Sequence, residues 1–101
     1  KIFLLYYLKP MVKDFISMCR TIYIPIHGEE LVKRVFSSLT EDKLNHMVDI
    51  YRECPAFSWQ NIENYLMKNN SKNTIILDNG KQVSISTFYS NAIQHYILKD
   101  Y

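Results

Sequence analysis

The chain has 101 residues, 48% apolar and 22% charged, with twelve Lys and Arg set against ten Asp and Glu for a formal net charge of +2. These are the proportions of an ordinary globular domain, and they exclude a disordered chain or a fibrous repeat. The length suits one domain spanning residues 1–101, whose folding hides somewhat more than about 60% of the unfolded surface. The basic residues are spread from Lys1 to Lys99, without the tract that would mark an electrostatic footprint for nucleic acid.

Residues Ile2 to Leu8 are all apolar or aromatic, and the chain begins with Lys1; the expectation is a piece cut from a longer protein. The run is far too short for a membrane span, which needs about 20 apolar residues, and it lacks the basic lead and small-residue cleavage site of a secretory signal. It reads as a buried strand or helical turn, and its Phe3, Leu4 and Tyr7 are candidates for contact with a partner. Pro10 suits the first turn of a helix, after which Met11, Val12, Phe15, Ile16 and Cys19 fall on one face. Thr21 to Ile26 is β-branched and alternating, so it reads as an edge strand or an extended connector around Pro25.

Gly28 precedes Glu29 and Glu30, and Leu31, Val32, Val35, Phe36 and Leu39 carry a helical period. Thr40 offers an N-cap to a helix with Leu44, Met47, Val48 and Tyr51 on its apolar stripe, ended by Pro55. Ser58 repeats the capping pattern before a helix in which Trp59, Ile62, Tyr65 and Leu66 point inward and Gln60, Asn61, Glu63 and Asn64 outward. Asn69 to Asn73 is a polar break.

Thr74 to Leu77 and Gln82 to Ile85 flank Asp78-Asn79-Gly80-Lys81. Asn-Gly between two strand-like runs predicts a hairpin with a two-residue turn. That turn pairs Leu77 with Gln82, Ile76 with Val83, Ile75 with Ser84 and Thr74 with Ile85. One face then carries Ile76, Val83 and Ile85; the other carries Ile75 and Leu77 and calls for a cover or a partner. Ser86 or Thr87 caps a last helix whose inward stripe is Phe88, Ala92, Ile93, Tyr96 and Ile97, which leaves Tyr89 and Tyr101 as exposed aromatics.

The expected fold class is α+β and mainly α, a helical domain with one β-hairpin near the C-terminus. With two glycines and three prolines, the chain has few of the turns a β-sandwich or barrel requires. Helices followed by a hairpin resemble the order of elements in a winged-helix domain, with residues 59–69 in the place of the recognition helix. This is an analogy of architecture and not a family match.

Reactive groups are dispersed. Cys19 and Cys54 read as reduced structural thiols, which with the missing secretory signal points to an intracellular chain in cytoplasm or nucleus. His46 and Cys54 share a predicted helix but stand about 12 Å apart along it, beyond hydrogen-bond reach. His46, Asp49 and Glu53 share one side of that helix, as any solvated helix face would arrange them. Neither Gly28 nor Gly80 sits in a phosphate-cradling pattern. Glu29-Glu30 and Glu41-Asp42 are first-turn charges. Asn69-Asn70-Ser71 matches a glycosylation pattern that matters only in a secreted chain. No enzyme chemistry, cofactor, metal or small-molecule substrate is expected.

Two expectations from different classes remain. The first is a protein-interaction module, self-associating or bound to a protein partner, using Phe3, Leu4, Tyr7, Ile75, Leu77 and Tyr89. The second is nucleic-acid binding, with Gln60, Asn61, Asn64 and Lys68 presented to a groove and Lys72 and Lys81 touching phosphate. Glu63 within that face and Asp78 at the hairpin tip oppose it, because a carboxylate there repels phosphate. The eight tyrosines lack the interleaved basic pattern of a single-strand stacking platform.

Overall fold

A computed structural model describes residues 11–69 and 72–98. Phe3, Leu4 and Tyr7, the core of the glycosylation pattern, and Tyr101 lie outside the described residues. The described chain is mainly helical, with five α-helices and a two-stranded antiparallel hairpin before the last. The helices are α1 (Val12–His27), α2 (Glu29–Phe36), α3 (Glu41–Glu53), α4 (Ser58–Lys68) and α5 (Ile85–Leu98); the strands are β1 (Thr74–Ile76) and β2 (Gln82–Ser84). A single 3₁₀ turn, Pro55–Phe57, leads into α4.

The helix that begins near Met11 runs on through Thr21 to Ile26, which corrects the expectation of an extended segment there. Local β propensity is weak, and packing overrides it. Ile22, Tyr23 and Ile24 are half-buried against the core, and the Tyr23 ring lies 5.0 Å from that of Phe88. Pro25 lies inside the last turn, where it lacks the N–H that would bond the Thr21 carbonyl, and the helix stops two residues later. There the Gly28 N–H donates to the Ile24 carbonyl at 2.8 Å. Gly28 holds φ at +90°, a left-handed value that glycine adopts without strain, and so turns α1 directly into α2.

Thr40 caps α3 as expected, its hydroxyl accepting the Lys43 N–H at 3.3 Å. Ser58 does not cap α4. It is the first residue of that helix, fully buried, and its hydroxyl is hydrogen-bonded to that of Ser90 on α5. The inward stripe of α4 is therefore Ser58, Ile62 and Leu66, which turns Trp59 outward instead of in. The last helix starts earlier than Ser86. The Ser84 hydroxyl accepts the Thr87 N–H at 3.4 Å, and Asn73 accepts the Ser86 N–H on Oδ1 at 2.9 Å and the Ile85 N–H on its carbonyl at 2.6 Å.

The hairpin forms where predicted, with a register displaced by one residue: Thr74 pairs with Ser84, Ile75 with Val83 and Ile76 with Gln82. The loop is Asp78-Asn79-Gly80, closed by the Gly80 N–H on the Leu77 carbonyl at 2.8 Å and the Leu77 N–H on the Lys81 carbonyl at 2.9 Å. Asn79 Oδ1 accepts the Lys81 N–H at 2.9 Å, and Gly80 takes the positive φ of +86° that this wider turn needs. A slip of one residue exchanges the faces of a strand. Ile75 is consequently 7% exposed and Leu77 packs partly against the core, whereas Ile76 is 59% exposed.

The core draws on every helix, including Phe15 and Cys19, Val32 and Phe36, Leu44 and Met47, Ile62, and Phe88, Ala92 and Ile93. The Phe36 ring sits edge-on to Phe15, Phe88 and Tyr89 at 5.9, 5.8 and 5.6 Å, the orientation that aromatic quadrupoles favour. α5 is the central helix, packing against α4 most extensively and also against α3, α1 and β2.

The two isoleucines of β1 separate the two registers by experiment. Ile75→Ala is expected to destabilise the fold by about 2–5 kcal/mol, and Ile76→Ala by no more than about 0.5 kcal/mol, both read from urea unfolding midpoints. The predicted register would reverse the order.

Candidate functional site

Three of the residues expected to face a partner, Ile75, Leu77 and Tyr89, are used inside the chain itself. Ile75 and Tyr89 are buried, Leu77 is half-buried, and the Tyr89 hydroxyl donates to the Val35 carbonyl at 2.6 Å. The Ile75/Leu77 face, which called for a cover or a partner, is covered within the chain, whereas the expectation of an exposed Tyr89 is corrected by its burial and its hydrogen bond to α2. The polar candidates are placed differently. Gln60, Asn61, Asn64 and Lys68 are all exposed on α4, and Lys72 and Lys81 are exposed before and within the hairpin.

The outer face of α4 carries two ridges at the four-residue spacing that aligns side chains along a helix. One is Trp59, Glu63 and Met67, with both apolar ends exposed and Glu63 half-buried; the other is Gln60, Asn64 and Lys68. Just before the helix, Phe57 at the end of the 3₁₀ turn is 57% exposed, and Trp59 is 46% exposed. Between these two rings Ser58 is buried and tied to Ser90, so the corner that displays them is fixed to the centre of the molecule. On the flank of α4, Tyr65 stacks on His46 of α3 with ring centroids 5.4 Å apart and planes 10° from parallel. The His46 ring is steadied in turn by its Nδ1–H, which donates to the Asp42 carbonyl at 3.0 Å. Sequence pattern missed Phe57 and Trp59 as surface residues, because an aromatic on a helix is expected to be core. The signal that could have found them is Pro55, whose 3₁₀ turn resets the phase of the helix after it.

Reactive groups do not converge. Among the described residues, no three His, Cys, Asp or Glu side chains stand close enough to hold a metal ion. Cys19 is fully buried and Cys54 half-buried, and neither is paired with another thiol. Burial pushes the Cys19 thiol from 9.0 up to about 12, far from the thiolate a nucleophile requires. The Tyr89 hydroxyl is raised as well, first by burial and then by Cys19. No helix among the described residues is long and apolar enough to cross a membrane.

Comparison of the chain with protein-family models, curated proteins and solved structures returns no match.

The buried thiol gives a signed prediction. A folded-state pKa above the unfolded value stabilises fully below the unfolded value and is lost as pH rises through the folded one. Because Cys19 moves from 9.0 to about 12, stability should decline as pH climbs above 9.0, with Tyr89 adding in the same direction. Urea midpoints measured across that range should fall less in Cys19→Ala than in the native chain; parallel declines would contradict the assignment. Iodoacetamide should label Cys54 in the folded protein and Cys19 only on unfolding.

Proposed function

We propose that this chain is a non-catalytic macromolecular interaction module that associates with another protein, a partner or a second copy of itself, through the outer face of α4. The observation that carries the reading is the pair of exposed rings at Phe57 and Trp59, displayed on either side of the buried Ser58. Large aromatics expose area that water solvates poorly, and Trp is the side chain most enriched among energetic anchors of protein interfaces. Held on a fixed corner, they lose little further freedom on binding. Met67 extends the apolar ridge, and the amides of Gln60 and Asn64 supply the polar rim. We further propose a reducing, intracellular setting, which the two unpaired thiols support.

Trp59 is the sole tryptophan, so its fluorescence reports on this face alone. Sedimentation from about 1 µM to about 1 mM should show self-association, with Trp59 emission shifting to the blue as the complex forms. Trp59→Ala should weaken association at least about tenfold, as removal of an interface anchor does. A monomer with constant, water-like emission across the whole range defeats the self-associating form and leaves a heterologous protein as the occupant.

The exposure of all six polar candidates favours a second reading, nucleic-acid binding by a winged-helix-like unit with α4 in the groove and the hairpin as wing. It ranks below the first because Trp59, Met67 and Glu63 occupy the would-be reading face and Asp78 sits in the wing loop. Duplex binding of this kind would weaken steeply with salt, and Lys68→Gln would reduce the logarithmic salt slope by about one. We expect no such dependence in fluorescence titrations at low and high salt.

A further inference from the structure

A cleft of about 600 Å³ lies between α2, α3, the hairpin and α5. From α4 it takes the inward-facing Leu66. Three cations border it, Arg34 from α2, Lys43 from α3 and Lys72 from the segment before β1; among the described lining residues there is no carboxylate. Nor does any of the three form an ion pair among the described residues, where the Arg20–Glu29 contact is an ion pair elsewhere on the surface. Like charges gathered without counter-charges repel one another, and an anion placed among them relieves that repulsion.

Arg34 is already aimed. Its Nη1–H donates to the Ile76 carbonyl at 3.1 Å, which fixes the guanidinium at the mouth of the cleft and leaves the rest of its donor fork available. Ser38 adds a hydroxyl to the lining, while the Ser37 hydroxyl donates to the Arg34 carbonyl. The apolar lining is of two kinds: Val35, Met47, Leu66 and Tyr89 keep almost no accessible surface, whereas Ile76 is exposed beside the cations. A recess of this volume falls within the range of small-molecule pockets, and its two-part lining asks for a two-part ligand.

We propose that this cleft binds a small organic phosphate, its phosphoryl group held among Arg34, Lys43 and Lys72 and its apolar or aromatic body laid over the exposed side chain of Ile76. A phosphate dianion matches three cations better than a single carboxylate does, and Arg recognises its oxygens through paired N–H donors. Cations around a recess, with the exposed Ile76 beside them, favour a small ligand over a nucleic-acid backbone, which needs cations along an exposed ridge. Lys72 also borders a recess with Glu63 and Met67 of the α4 ridge, so the two surfaces adjoin there, but neither assignment is argued from the other.

The test uses 1-naphthyl phosphate as probe, with inorganic phosphate and 1-naphthol as its two halves. By calorimetry or amide chemical shifts, 1-naphthyl phosphate should bind saturably with a Kd below about 1 mM and weaken as salt is added. Each half should bind at least about tenfold more weakly. The variants R34Q/K43Q/K72Q and K43Q/K72Q, the second keeping the Arg34 contact to Ile76 so that the hairpin is undisturbed, should each lose at least about tenfold in affinity with unchanged thermal unfolding. Trp59→Ala should bind like the native chain. The proposal is overturned if 1-naphthyl phosphate fails to saturate, if 1-naphthol binds as tightly, or if K43Q/K72Q binds undiminished. It is equally overturned if a DNA duplex of about 20 bp binds through these lysines while the small phosphate does not.

Discussion

The hydrogen bond from the Tyr89 hydroxyl to the Val35 carbonyl ties α5, the helix that packs against α4, α3, α1 and β2, to α2 as well. The last carbonyls of any helix lack intrahelical partners, and α2 is short enough that its final turn is a large part of its length. Its end is closed piece by piece: the Ser37 hydroxyl takes the Arg34 carbonyl, Tyr89 takes Val35, and the Leu39 N–H takes Phe36. Of these, Tyr89 reaches in from a distant part of the chain, and a buried carbonyl left without it would cost about 1–3 kcal/mol. The same side chain brings its ring against Phe36, so one residue supplies both the polar tie and the aromatic packing.

The next residue of α5 ties the opposite neighbour. Ser90 meets Ser58 of α4 through two small hydroxyl side chains that satisfy each other where water is excluded. Asn73 then fastens the start of the hairpin to the first turn of α5, while Arg34 holds the Ile76 carbonyl from the α2 side. With its inner side committed to α5, α4 has one face left uncovered, and that face bears Trp59, Met67 and the amides. With the hairpin held at both ends, the space between it and α2 and α3 is kept open as a cleft instead of collapsing.

Much of the architecture could be read from the chain. Helical periodicity located α2, α3 and α5, Thr40 announced its cap, and Asn79-Gly80 between β-branched runs announced the hairpin, because each of these signals acts within a few residues. The errors share one cause. Thr21 to Ile26 has local strand character but is helical since Tyr23 and its neighbours find Phe88 and the core. Tyr89 falls off the sequence-derived stripe yet is buried, since its partner Val35 lies far back in the chain. Of the residues expected to meet a partner, Ile75 and Tyr89 are buried and Leu77 is half-buried within the chain, while the exposure of Phe57 and Trp59 went unnoticed.

The amino-acid sequence by itself determined a mainly helical chain, where most of its helices lie, and a hairpin ahead of the last helix, since local spacing of apolar groups, caps and turn residues decides such matters. Tertiary structure alone decided which side of each element faces inward. A strand register displaced by one residue, or a helix phase reset by one 3₁₀ turn, costs almost nothing locally and exchanges surface for core. Contacts between residues remote in sequence, such as Tyr89 with Val35 and Ser58 with Ser90, select among those alternatives. The same contacts place Arg34, Lys43 and Lys72 around one cleft, although nothing in their spacing along the chain suggests that they should meet.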